Sequence, residues 1–201
     1  ARFSANKSKS RQATSRKKLL EKLTIEELPA SSRRYPFVGF VPDREIGKEV
    51  LEVDHLCKDV EGETLLTNIT FRLGRTDKVC LLSENELSAT ELIKILAGET
   101  EQDRGTFKWG NTITYSYFPK DNNSFFENVH LNLLDWMRQY TTTDNTETFL
   151  RGFLGRMLFS GDDVFKSACV LSGGERVRCM LARMMLYGSN VLILDQATNQ
   201  L

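Results

Sequence analysis

One stretch near the C-terminal end constrains this chain more than any other. Residues 170–186, VLSGGERVRCMLARMML, read as a helix that opens on two glycines. Ser172 and Glu175 have the spacing of a capping box, which alone means only that a helix starts there. Gly173 and Gly174 add a second property. Lacking side chains, they let an anion approach the free N–H groups of the first turn, where the helix dipole favours negative charge. Next comes NVLILD, residues 190–195, whose short apolar run predicts a strand covered on both faces. It ends in Asp195, and an acidic residue at the end of a buried strand is where phosphate-binding α/β proteins hold Mg2+.

The segments before it fit an α/β arrangement with a partly parallel sheet. VLEVDHL, 50–56, alternates as a strand, and LLTNITFRL, 65–73, reads as a second one. DKVCLLS, 77–83, reads as a buried strand. TELIKILAG, 90–98, has helical periodicity and a glycine stop. GTFKWG, 105–110, and TITYSYF, 112–118, look like strands paired across a turn. Residues 128–140 and 147–158 are helical by period, and no internal repeat is visible. The aromatics Phe107, Trp109, Tyr115, Tyr117 and Phe118 could stack on bases, but their alternation favours a sheet core. Met180, Met184 and Met185 sit at core spacing, and His55 and His130 read as structural or surface residues.

The first 49 residues are of a different kind. Residues 10–23 form a helical pattern, and 29–48 hold three of the four prolines, as a linker does. Net charge is zero, yet residues 1–34 carry ten basic and three acidic groups, leaving the remainder acidic. Such an arm suits a polyanion, or it is a solubilising helix. No apolar run approaches the ~20 residues of a membrane helix. Cys57, Cys80, Cys169 and Cys179 are scattered without a CxxC pair, so a disulfide framework and a metal cluster are not expected. A soluble, cytoplasmic protein with no membrane partner is the expectation.

At these residues the chain resembles the nucleotide-binding domain of an ABC ATPase, a P-loop NTPase-like α/β fold with a mixed sheet and a helical subdomain. LSGGE, 171–175, resembles the ABC signature, and VLILD, 191–195, resembles Walker B. LDQATNQL, 194–201, is similar to the LDEPTNHL of the ABC-F subfamily, soluble paired-domain ATPases that act on ribosomes. KSKSRQATSRKKLLEKL followed by SSRRYPFVGF resembles that subfamily's inter-domain linker. The resemblance implies a basic helical linker over 1–49 and the front of a second ABC domain over 50–201. Its helical subdomain would lie at about 122–172, with the last strands and switch histidine beyond Leu201. It also implies ATP and Mg2+ as cofactors, a second ABC domain as partner, and ribosomal RNA or tRNA along the arm through Lys7, Lys9, Arg11, Arg16, Lys17 and Lys18.

Several positions depart from the family pattern. A phosphate loop reads GxxxxGK[ST], yet 83–90 is SENELSAT. Ser83 and Ser88 stand at the motif glycines and Ala89 at the lysine, while Thr90 keeps the Mg2+ hydroxyl. Glu84 and Glu86 would repel a triphosphate. From its residues alone, this loop reads equally as an ordinary strand-to-helix connection. Val60 falls where the adenine-stacking aromatic belongs. Pro119 and Lys120 fall where a glutamine belongs, and Gln196 at the catalytic glutamate. Glutamine cannot accept a proton from water, and general-base help is typically worth ~10²–10⁴ in rate. The resemblance places nucleotide contacts at Ser83, Asn85, Ser88, Ala89, Thr90, Glu91, Lys120, Ser172, Gly173, Gly174 and Glu175, and metal contacts at Thr90 and Asp195.

Intact signature and degenerate loop together imply a domain that completes its partner's ATP site. The rivals are a non-catalytic RNA-binding or scaffold module, and a transporter or DNA-repair ATPase subunit; the basic arm and the TNQL ending favour the ribosome-type reading. Phosphate-dominated RNA binding by residues 1–49 should weaken steeply with salt, by ~10³–10⁵ between 50 and 200 mM. Changing Arg16, Lys17 and Lys18 to Glu should abolish it, as read by a salt titration of both versions.

Overall fold

The computed structural model describes residues 34–141 and 144–197. The basic residues Lys7 to Lys18 and the TNQL ending lie outside them. Strands β1 (Glu49–Val60) and β2 (Glu63–Gly74) form an antiparallel hairpin, and β3 (Arg104–Trp109) adds to the other edge of β1. The order β2-β1-β3 makes one sheet. A second sheet pairs β4 (Tyr115–Phe118) with β5 (Val191–Leu194) in parallel. The helices are α1 (Glu86–Leu96), α2 (Leu133–Arg138), α3 (Glu147–Arg156) and α4 (Gly173–Leu186). Among the described residues no helix is long and apolar enough to cross a membrane.

Besides β5, which is half-buried with Leu194 48% exposed and so is not covered on both faces, two expectations about strand pairing are corrected. The segments 105–110 and 112–118 are not partners; β3 joins the antiparallel sheet and β4 the parallel one. Gly110 explains the separation, since its N–H donates to Val50 O and a Cβ there would lie 2.1 Å from Glu49 O. The backbone is committed to β1 at that point and leaves in a new direction. The second correction concerns 77–83, which forms no strand; Val79 is 57% and Leu82 92% exposed. Apolar residues supply strand propensity, but only a ladder partner makes a strand, and none of the described strands pairs with it.

Helix starts follow local chemistry. Asn85 caps α1 by accepting from Leu87 N at 3.0 Å, so that helix begins four residues before its periodic part. Asn132 caps α2 by accepting from Asp135 N at 2.8 Å, and Thr146 caps α3. The stretch before Asn132 is therefore not helical, and Asn128 there has φ +58°. The C-terminal end of α1 is met by the aromatic group. Trp109 Nε1 donates to Leu96 O at 3.1 Å, Tyr115 Oη donates to Ala97 O at 3.2 Å, and their rings stack 5.2 Å apart.

Two apolar clusters result. One joins β1 and β2 to Leu92, Ile95 and Leu96 of α1. The larger one gathers α2, α3, α4 and Phe118 around Trp136 and Phe126, whose rings stack at 4.9 Å. Met180 and Met184 belong to it, as their spacing predicts. Residues 35–48 lie along this unit: Phe37 N donates to Arg156 O at 2.9 Å and Asp43 N to Gly188 O at 2.8 Å. Gly188 has φ +56°, and a Cβ there would come 2.3 Å from the Asp43 side chain, so glycine is required. Phe126 is fully buried. Phe126→Ala should cost about 3–5 kcal/mol, measured as a lower midpoint in urea denaturation of the purified protein.

Candidate functional site

Parallel pairing sets the register Phe118↔Leu194, and Asp195 N continues the ladder by donating to Phe118 O at 2.9 Å. The residues that leave the two strands therefore emerge side by side: Lys120 after β4, Asp195 and Gln196 after β5. The start of α1 faces them. Lys120 Nζ and Gln196 Nε2 both donate to the same oxygen, Oε1 of Glu86, in the first turn of α1. These bonds, from Lys120 first and then Gln196, hold the Glu86 carboxyl below its usual range. Gln196 reaches it from a left-handed backbone, φ +51°, a conformation uncommon for a residue with a side chain.

On the other side of Asp195 lies a cleft of about 620 Å³ lined by Thr90, Lys94, Tyr117, Lys120 and Asp195. Thr90 and Asp195 are 7% and 3% exposed. Thr90 Oγ1 and Asp195 Oδ2 are both buried without a hydrogen-bond partner. Two orphaned hard oxygens in one cleft are what a divalent cation of the Mg2+ type selects. The residues present therefore fit the metal that the sequence implies at Thr90 and Asp195. Burial, with Glu99 and Asp195 nearby, pushes the Tyr117 phenol up, so it stays neutral.

The loop fits a triphosphate poorly. Ser83 Oγ donates to Asn85 O at 2.7 Å, and Asn85 spends its Oδ1 on the cap. Ser88 lies within the first turn and donates its N–H to Asn85 O. Ala89 carries no cation, and Glu91 is paired with Lys94 at 2.8 Å. Ser83, Ala89, Asp195 and Gln196 line a groove of about 510 Å³ that Glu86 shares. The structure thus brings Ser83, Asn85, Ala89, Thr90, Lys120, Asp195 and Gln196 around the start of α1. Sequence reasoning placed Glu86 in the loop only as a charge repelling phosphate, and not as the partner of Lys120 and Gln196. Its signal was an acid in a first helical turn, but its partners lie 34 and 110 residues away.

Ser172, Gly173, Gly174 and Glu175 line neither cleft. They open α4, where Ser172 N and Oγ donate to Glu175 Oε2 at 2.9 and 2.7 Å. These bonds hold the Glu175 carboxyl below its usual range. Ser172, Gly173 and Gly174 are exposed. A Cβ on Gly173 would meet nothing within 4 Å, and one on Gly174 only the Arg178 guanidinium at 3.9 Å. The first N–H groups of a helix have no intrahelical acceptor. The α4 start is thus an open, donor-rich surface held in shape by Glu175.

A family model described as ABC transporter matches residues 66–199. The chain is 60% identical over 201 residues to YkpA of Bacillus subtilis, an uncharacterized ABC transporter ATP-binding protein, covering 100% of this chain and 37% of that protein. It is 33% identical over 203 residues to the energy-dependent translational throttle protein EttA of Mycobacterium tuberculosis, covering 96% of this chain and 35% of that one. With the ATP-binding protein Uup of Escherichia coli it shares 32% over 157 residues, 77% of this chain and 25% of Uup. The chain therefore spans well under half the length of these relatives. Among solved structures it is similar to an inward-facing ABC transporter assigned to the metal-chelate type: TM-score 0.58, 18% identity, covering 76% of this chain and 62% of that one.

The orphaned oxygens make a prediction. Mg2+ at ten times its Kd should stabilise the protein by about 1.4 kcal/mol. The gain should vanish in both Thr90→Val and Asp195→Asn, as read by thermal unfolding with and without the ion.

Proposed function

Since the chain belongs to the ABC transporter family and has the mixed α/β fold of its ATP-binding domains, we propose that this domain completes the ATP site of a second ABC domain. The observation that carries the reading is a contrast between two helix starts. The start of α4 is exposed and unobstructed at Ser172, Gly173 and Gly174. The start of α1 lacks the lysine and carries a carboxylate where phosphate would approach. One helix start can receive another domain's phosphates, and the other is poorly suited to hold its own.

In the partner's site, the N–H groups of Gly173 and Gly174 would hold the terminal phosphate, and the Ser172 hydroxyl would join them by turning from Glu175 to the phosphate. Glu175 acts through Ser172, fixing the first turn by accepting from its N–H and its hydroxyl while Gly173 and Gly174 stay exposed. ATP with Mg2+ supplies the phosphoryl group and the counter-charge to it. On its own side, Gln196 replaces a general base, so this domain contributes binding and not proton abstraction. Thr90 and Asp195 retain the oxygens for a metal.

We further propose that the parent protein is an ABC-F-type ATPase acting on ribosomes in the cytoplasm, with Lys7, Lys9, Arg11, Arg16, Lys17 and Lys18 contacting ribosomal RNA or tRNA. The support is the similarity to a protein named a translational throttle, together with the basic arm and the LDQATNQL segment.

Ser172→Arg or Gly173→Asp puts bulk or negative charge where the partner's phosphate docks. Losing one charge-assisted hydrogen bond costs ~1.5–3 kcal/mol, so ATPase turnover of the full-length protein should fall at least about tenfold. Nucleotide binding to the partner domain should largely persist, measured by equilibrium titration. Unchanged turnover in both variants would instead favour a scaffold that kept the fold.

A further inference from the structure

Three departures from the family pattern, far apart in sequence, meet at one atom. Glu86 stands in the phosphate loop, Lys120 where a glutamine is expected after β4, and Gln196 where a glutamate is expected after β5. Lys120 Nζ and Gln196 Nε2 converge on Glu86 Oε1. Taken singly, each change looks like damage. Together they are complementary: Glu86 is one of two acids in the loop, an acid is missing after β5, and a cation stands after β4. The exchange puts a cation and an amide donor within hydrogen-bond reach of one carboxylate.

The surroundings are those of an anion seat. The carboxylate is in the first turn of an 11-residue helix, where the dipole favours negative charge. Asn85 Oδ1 already occupies Leu87 N, so a backbone donor that could turn to a ligand is committed. Ser83 Oγ is turned back onto Asn85 O. Beside the seat, Asp195 carries a buried, unpartnered oxygen and lines the neighbouring cleft. A phosphate entering here would have to displace Glu86 from both donors and face its charge.

We propose that Glu86 is this domain's resident anion: its carboxylate takes the seat between the α1 start, Lys120 and Gln196, and so keeps the domain's own loop closed to nucleotide phosphates. The inference rests on the reading that this domain serves its partner's site, and it names the device that keeps its own site out of use. It also gives Gln196 a role that a general base could not fill, because a carboxylate at that position would repel Glu86.

Backbone hydrogen exchange in the full-length protein tests it, with inorganic phosphate and MgATP as probes. With Mg2+ held at the same concentration in every sample, including those without a probe, neither probe slows exchange over residues 83–92 in the unaltered protein. E86A and E86Q each speed exchange there by up to about fivefold, the size an exposed ion pair supports, and either probe reverses the change. E86A/K120A exchanges as fast as E86A, but phosphate no longer reverses it because the cation of the seat is gone. The proposal is overturned if MgATP slows residues 83–92 in the unaltered protein as strongly as in E86A, or if neither Glu86 variant responds to either probe. Slowing over residues 171–176 by MgATP reports the partner's site in the same samples. Loss of that signal alone counts against the proposed function and leaves the Glu86 result standing.

Discussion

Parallel pairing of β4 with β5 is the constraint on which the rest of the site depends. Parallel strands end on the same side, so whatever follows each strand is delivered to one edge of the sheet. With Phe118 opposite Leu194, residues Pro119 and Lys120 run beside Asp195 and Gln196. A slip of one residue would send those side chains to the opposite face. The buried side chains of Ser116 and Phe118 resist such a slip by fixing which face of β4 meets the interior.

The third participant, α1, is held at both ends by different chemistry. Its start is fixed locally, by the Asn85 cap. Its far end is fixed by tertiary contacts: Trp109 from one sheet and Tyr115 from the other donate to its last carbonyls. Leu92, Ile95 and Leu96 bury its inner face against β1 and β2. The far end of the helix is thereby tied to both sheets, and its first turn meets the ends of β4 and β5 through Glu86. These anchors set the direction of α1, and with it the place where Glu86 meets Lys120 and Gln196.

Asp195 divides the site into two electrostatic halves. On one side its unpartnered Oδ2 and Thr90 Oγ1 leave an oxygen-lined opening suited to a cation. On the other side the donors are already satisfied by an internal acid. The α4 start shows the opposite economy of donors. Glu175 binds Ser172 and leaves Gly173 and Gly174 exposed. Two helix starts of similar sequence logic thus have opposite availability, and the difference comes from where the nearest carboxylate points.

How much of this was legible in the sequence depends on range. The capping box at Ser172 and Glu175, the open glycines, the strand ending at Asp195 and the methionines of α4 follow from spacing within a few residues, because helix and strand periods repeat on that scale. Val79 to Leu82 have the same apolar character as β5 and do not form a strand, because a strand exists only through its neighbour. Trp109 and Tyr115 read as sheet residues, yet only packing showed that they close the end of α1. Glu86, Lys120 and Gln196 carried no joint signal in the chain, since pairing between residues 34 and 110 positions apart is set by strand order and register. The sequence by itself determined the local elements and the open helix start, through backbone chemistry that acts over one or two turns. Only the tertiary structure decided which charges meet, because that depends on the parallel register that brings distant segments to one edge.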